Sequence, residues 1–266
     1  MMRSNILVTY CCSTIALILF LFTVNFSNLP ATTLAAKAKR SSDTKHGRSK
    51  SSSGRIRIET SHGPVLGVSD LQSGVQYWKN IPFAAAPVGD RRWKSPVEPE
   101  SWTGDLDASQ FGPQCPQSCG LPVGLCAEQT SEDCLSLNVY RPVWNETLPP
   151  LPVMVFLPGG RFEQGTANCK VYEGDYFVRR GKVILVTVNY RLGLLSFMVD
   201  TKRGINGNFG IQDQRMALQW VQKNIAQFGG DPNSVTLFGE SAGAASVNVC
   251  INDIICLVCC CCEEVF

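Results

Sequence analysis

The residues best placed by type and spacing to do chemistry are Gly239-Glu240-Ser241-Ala242-Gly243. They form a G-x-S-x-G pattern directly after the apolar run Val235-Thr236-Leu237-Phe238 and before small residues able to start a helix. A tight strand-to-helix turn of this kind strains the serine backbone and presents its Oγ above the sheet edge. The flanking glycines leave room for close packing, and the helix end helps accommodate negative charge near a reacting carbonyl. The chemistry this predicts is nucleophilic attack by Ser241 on an acyl carbon. The plain alternative is a glycine-rich structural turn, and the flanking strand and helix signals favour the nucleophile.

Such a serine needs a base. The chain has two histidines, His46 and His62, both near the N-terminus. His46 lies in a polar linker and reads as solvated, and His62 reads as a surface residue of a strand turn. Two histidines make a multi-histidine metal site a poor fit, so neither a metal nor a cofactor is expected. Glu240, next to Ser241 on a tight turn, points away from the serine and reads as a buried structural carboxylate. Without a base in reach, Ser241 stays a weak, protonated alcohol.

The elements that must position this serine can be followed along the chain. Arg55–Glu59 alternates like a strand, with Gly63–Val68 as its hairpin partner. Gly- and Pro-rich coil dominates from Ile81 to Glu100. Pro152–Leu157 and Val183–Asn189 are short and rich in β-branched residues, as buried strands are. Residues 212–228 carry helical spacing through Met216, Trp220, Val221, Ile225 and Phe228, and Gly229-Gly230-Asp231-Pro232 stops that helix. The alternation predicts an α/β sheet with parallel pairing after each crossover.

Before this body lie other segments. Arg3 precedes the apolar run Ile6–Phe26, and small residues follow, so 1–35 reads as a signal peptide with Thr33-Leu34-Ala35 as a cleavage site. The rival reading is an uncleaved signal anchor, which Lys37, Lys39 and Arg40 would orient with the body in the cytoplasm. Residues 36–54 form a basic, Ser-rich linker without apolar periodicity, expected to be disordered. Asn145-Glu146-Thr147 is a glycosylation sequon in a Pro-flanked stretch, and spaced cysteines at 115, 119, 126 and 134 suit disulfides. Both favour a secreted or lumenal product, with membrane attachment only if the N-terminal segment is uncleaved.

Charge excludes one class of partner. Residues 1–57 hold nine Lys/Arg against one acid, whereas the remaining residues hold 15 against 21. The folded part is therefore mildly acidic and has no basic footprint for nucleic acid.

A set of ordered motifs resembles the type-B carboxylesterase and cholinesterase-like family. They include Gly207-Asn208-Phe209-Gly210-Ile211-Gln212-Asp213-Gln214, Phe228-Gly229-Gly230-Asp231-Pro232 and Phe238 to Gly243. Glu132-Asp133-Cys134-Leu135-Ser136-Leu137-Asn138, Asn189-Tyr190-Arg191-Leu192-Gly193 and Ile81-Pro82-Phe83-Ala84 belong to the same set. The resemblance covers residues 55–248 and implies an α/β-hydrolase fold, truncated after the nucleophile elbow. It also implies hydrolysis of small-molecule carboxylic esters through an acyl-serine at Ser241.

By the same resemblance the oxyanion donors are the backbone N–H groups of Gly160, Arg161 and Ala242, and Cys115 pairs with Cys134. Cys119 with Cys126 is a nested pair. Two departures stand out: Pro158 replaces a residue that is usually His, another polar residue or Gly, and Arg161 replaces Gly or Ala. The Arg161 side chain either crowds the acyl pocket or turns outward. The family's triad acid and histidine lie downstream of Phe266, so an esterase inactive as written is the first expectation. A non-catalytic adhesion ectodomain of neuroligin type, or a truncated product without independent function, are the alternatives. Residues 249–266, rich in cysteine, match no family pattern and read as an aberrant tail.

Overall fold

The computed structural model describes the backbone of residues 53–122, 124–143 and 148–258. Residues 1–35, read as a signal, residues 36–52 of the expected linker with His46, the sequon at Asn145 and the tail from 259 onward lie outside the described residues, whereas Ser53 and Gly54, the expected end of the disordered linker, belong to the first strand. Among the described residues no helix is long and apolar enough to cross a membrane.

Among the described residues eight strands make one sheet. β1 (Ser53–Glu59) and β2 (Pro64–Asp70) form the antiparallel hairpin that the alternation predicts, with Ile58 opposite Val65. β3 (Val75–Pro82) lies antiparallel to β2, and the two-residue β4 (Leu106–Asp107) pairs with β2 in parallel. β5 (Ser136–Pro142), β6 (Leu151–Leu157), β7 (Ile184–Val188) and β8 (Gly230–Gly239) follow. The spatial order is β1-β2-β3-β5-β7-β6-β8.

Parallel pairing follows each crossover, as the alternation predicts, joining β7 to β6 and β6 to β8, whereas β5 runs antiparallel to β7. The reason is the link from β5 to β6, only eight residues long, which is too short for a parallel crossover. Strands β3 and β5 carry no clean apolar run, because they bury polar groups that find partners. Lys79 Nζ lies 2.7 Å from Glu173 and 4.0 Å from the centre of the Phe111 ring. Asn138 Nδ2 donates to Asn168 Oδ1 and Thr187 Oγ1, each at 3.0 Å. Arg141 donates from Nε to Gln76 Oε1 and from Nη1 to the Phe228 carbonyl, both at 2.7 Å. Buried polar groups satisfied in this way cost little.

Helices cover both faces of the parallel part. α1 (Asp175–Gly181) packs Val178 with Phe156, Leu185 and Tyr140. On the other face Val153, Val155, Leu157, Val186 and Leu237 meet Ala217, Trp220 and Val221 of α3 (Phe209–Asn224) and Val247 of α4 (Ala242–Val258). Alternate residues of β6 thus serve opposite cores, as the two-residue period of a strand requires. All five residues of β7 are buried, which explains its continuous apolar sequence. A short helix, α2 (Gly193–Phe197), follows β7.

The long helix starts at Phe209, three residues before the periodic stretch 212–228. Its last turn, Ile225–Phe228, tightens to 3-10 form and ends at Gly229, where φ is 78°. One buried ion pair ties it to the chain after β7. Arg191 donates from Nη2 to Asp213 Oδ1 at 2.7 Å and from Nε to Asp213 Oδ2 at 2.9 Å, and the Arg191 backbone N–H adds a bond at 3.0 Å. Burial pushes the Asp213 carboxyl up, against the pull of the guanidinium.

Disulfides join Cys115 to Cys134 and Cys119 to Cys126, with Cα atoms 5.1 and 6.1 Å apart. Cys169 is buried and free. α4 continues unbroken to Val258, through the first residues of the cysteine-rich tail.

Candidate active site

β8 delivers the serine. Ser241 stands between the end of β8 and the first residue of α4, with φ at 54°. A non-glycine residue in this left-handed region costs about 1–3 kcal/mol, strain of the kind that gathers at functional sites. The turn is closed by the Gly243 N–H donating to the Glu240 carbonyl at 2.8 Å, and the helix begins with Ala245 N–H to the Ser241 carbonyl at 3.1 Å. The glycines of the motif are required by space. A Cβ on Gly239 would lie 2.5 Å from the Gly243 carbonyl carbon, and one on Gly243 would lie 2.9 Å from that of Leu157.

β6 delivers the second half. Leu157 is in register with Gly239, so the turn after β6 runs beside the serine. A Cβ on Gly159 would meet the Glu240 carbonyl oxygen at 2.5 Å and the Ser241 Cβ at 3.1 Å. The chain then reverses through Gly160, Arg161 and Phe162, at φ of 118°, 63° and 62°, with the N–H groups of Glu163 and Gln164 both donating to the Gly160 carbonyl. The Phe162 ring packs edge-on against Phe197 at 5.5 Å, and the Gly193 N–H donates to the Phe162 carbonyl at 2.7 Å. The Tyr190 hydroxyl donates to the Pro158 carbonyl at 2.6 Å. Burial pushes the Tyr190 phenol well up, with Tyr172 and Glu240 adding to it.

Three backbone donors around this serine are unused. Among the described residues, the N–H groups of Gly160, Arg161 and Ala242 make no hydrogen bond within the protein. Ala242 is buried, Gly160 is partly buried and Arg161 is exposed, and all three lie on the two adjoining turns.

Arg161 turns outward. Its side chain is 77% exposed and reaches only Glu163, at 3.7 Å. Two other residues depart from the sequence reading. Glu240 is exposed rather than buried, although its carboxylate reaches over Gly159, where an added Cβ would run into Oε2. His62 is largely covered rather than on the surface, with its side chain 11% exposed. Its ring stacks on Trp102 at 6.4 Å, and Nδ1 lies 3.0 Å from Ser61 Oγ. The adjacent Ser61 N–H donates to Asn224 Oδ1 at the end of α3, just before β8 begins, whereas Ser241 follows the end of β8. Those two ends of β8 lie opposite Leu151 and Leu157 of β6, which an extended strand holds about 20 Å apart. His62 is thus no partner for Ser241.

This arrangement of an edge serine on a left-handed turn beside a glycine-rich turn matches a known family. The model of the carboxylesterase family covers residues 54–252. The chain belongs to the carboxylesterase family. This carboxylesterase-family chain is 43% identical over 194 residues to the para-nitrobenzyl esterase of Bacillus subtilis (strain 168), covering 71% of this chain and 39% of that protein. It is 36% identical over 234 residues to neuroligin-2 of Mus musculus, covering 73% of this chain and 28% of that protein. A solved structure of PNB esterase superposes with a TM-score of 0.67 at 44% identity, covering 72% of this chain and 39% of the other. The fold is that of the α/β-hydrolases. The chain spans less than half the length of each of these relatives.

Proposed function

We propose that Ser241 is the nucleophile of a carboxylic ester hydrolase, with the N–H groups of Gly160, Arg161 and Ala242 as its oxyanion hole. Ser241 Oγ attacks the ester carbonyl, the C–O bond to the alcohol breaks, and water then releases the acid from the acyl-serine. The observation that carries this reading is the trio of unused N–H groups on two turns brought together by the Leu157–Gly239 register. Losing one such donor costs about 3–4 kcal/mol in an acyl-transfer enzyme. Arg161 supports the reading by leaving the serine side clear. The two disulfides favour a secreted or lumenal product, with glycan at Asn145.

The base is a separate matter. His62 is remote, so the 266-residue chain is expected to hydrolyse short aryl esters no faster than its Ser241→Ala variant. A clear serine-dependent rate would overturn the view that this chain lacks its base. A chimera joining residues 54–252 to the rest of the para-nitrobenzyl esterase supplies the downstream acid and histidine that the family implies. Hydrolysis by that chimera should vanish in Ser241→Ala; hydrolysis that survives the substitution would reject the nucleophile. The second reading, a non-catalytic adhesion ectodomain, rests on the likeness to neuroligin-2. An inactive but folded chimera would favour it.

A further inference from the structure

The glycine-rich turn beside Ser241 is not held by the sheet, since β6 ends at Leu157. Its far end is held instead by a side chain from the disulfide loop. The Gly165 N–H donates to Gln117 Oε1 at 2.7 Å, and Gln117 Nε2 donates to the Gly165 carbonyl at 2.9 Å and to the Cys115 carbonyl at 3.1 Å. One amide thus satisfies both backbone groups of a single residue, as a neighbouring strand would. In return, Gln164 Oε1 accepts from the Gly120 N–H at 2.8 Å.

The contact then passes directly to the serine. Gly165 has φ at 107°, and a Cβ there would lie 3.3 Å from the Gly159 carbonyl carbon. Gly159 in turn rests on Glu240 and Ser241. The loop that carries Gln117 and Gly120 has its own clamp, because Cys119 bonds to Cys126 across seven positions. That disulfide is half-buried, whereas Cys115 and Cys134 are each 2% exposed.

We propose that Gln117 is a positioning residue for the oxyanion turn, and that the Cys119–Cys126 disulfide holds Gln117 in place. The proposal rests on the reading of Gly160 and Arg161 as oxyanion donors, but its geometry is tested without catalysis. A side-chain amide is needed because it donates and accepts at once. A protonated carboxylic acid reproduces that pair and a carboxylate does not.

Amide hydrogen exchange in the 266-residue chain tests it, residue by residue, in four proteins: the natural chain, Gln117→Ala, Gln117→Glu and the double variant Cys119→Ser with Cys126→Ser. In Gln117→Ala, exchange at Gly165, Glu163 and Gln164 should rise at least tenfold, with the amides of β6 and β7 unchanged. In Gln117→Glu, protection relative to the natural chain at each pH should be kept below the ordinary glutamate range near about pH 4.3 and lost above it. The double variant should loosen the same three amides. Unchanged exchange at Gly165 in Gln117→Ala overturns the proposal, as does a uniform rise over the whole chain. Should Gln117→Ala unfold the chain, the pH switch of Gln117→Glu decides alone, and a flat profile overturns the proposal. An unaffected double variant overturns the part assigned to the disulfide. Ser241→Ala leaves all these amides unchanged, so failure of the catalytic reading is seen separately, in the chimera.

Discussion

The phenol of Tyr190 donates a hydrogen bond to the carbonyl of Pro158 at 2.6 Å, fastening the start of the glycine-rich turn to the chain that leaves β7. Both residues are buried. Tyr190→Phe keeps the ring and removes the donor, leaving the carbonyl without this partner. The expected loss is about 1–3 kcal/mol, measured by urea unfolding at unchanged m-value. A loss below a few tenths would show that the carbonyl finds another partner.

Ser241 is held where glycine is most at ease. Ser241→Gly should therefore relieve the left-handed backbone and stabilise the chain by about 1 kcal/mol, whereas Ser241→Ala should not. Thermal unfolding of the two variants side by side reads this difference. Equal midpoints would mean that the strain is stored elsewhere.

Gly243 and Gly54 offer a contrast in space. A Cβ on Gly243 runs into the Leu157 backbone, whereas nothing lies within 4 Å of one on Gly54. Gly243→Ala should cost upwards of about 2 kcal/mol and separate the two turns, and Gly54→Ala should fall within about 0.5 kcal/mol of the natural chain. Circular dichroism melts of both would settle the comparison, with a tolerated Gly243→Ala counting against the described packing.

The Arg191–Asp213 pair is buried and bonded at every strong position. Removing one partner strands the other, so Asp213→Ala is expected to cost about 3–5 kcal/mol. Replacing both with apolar residues of similar size should recover most of that loss. A double variant as unstable as the single one would assign the effect to packing rather than charge.

Acid should loosen the first hairpin before the parallel strands. The hydrogen bond from Arg55 holds the Asp107 carboxyl below its usual range, and that from Ser73 does the same for Asp70. Each folded value lies below the unfolded one, so the contribution to stability is complete above the ordinary carboxylate range and disappears as pH falls through the lowered values. Asp107→Asn should flatten the fall in stability below about pH 4, followed by urea midpoints at stepped pH. An unchanged slope would show that the pair does not contribute.

The parts legible in the sequence are those where burial and backbone demands leave few choices. β6 and β7 are buried on both faces and so are written in β-branched residues, and the motif around Ser241 is fixed by glycines that touch backbone. β3 and β5 were hidden because their buried Lys79, Asn138 and Arg141 read as polar while their partners lie in other segments. His62 looked like a surface residue because Trp102, which covers it, is 40 positions away in sequence. Gln117 carries no local signal at all. Its role exists only where two loops meet, 48 positions apart.

Gly159 and Ser241 are 82 positions apart in sequence and touch only because β6 and β8 pair in parallel. Pairing of that kind closes a long loop before any contact repays it, so it comes late in folding. Hairpin β1–β2 and helix α3 can form from local contacts well before then. The turn after β6 therefore reaches Ser241 only in a molecule whose last long-range register has been set. A partly folded chain, whatever its helix content, keeps Gly159 and Ser241 apart, and their contact becomes a clock for the completion of the sheet.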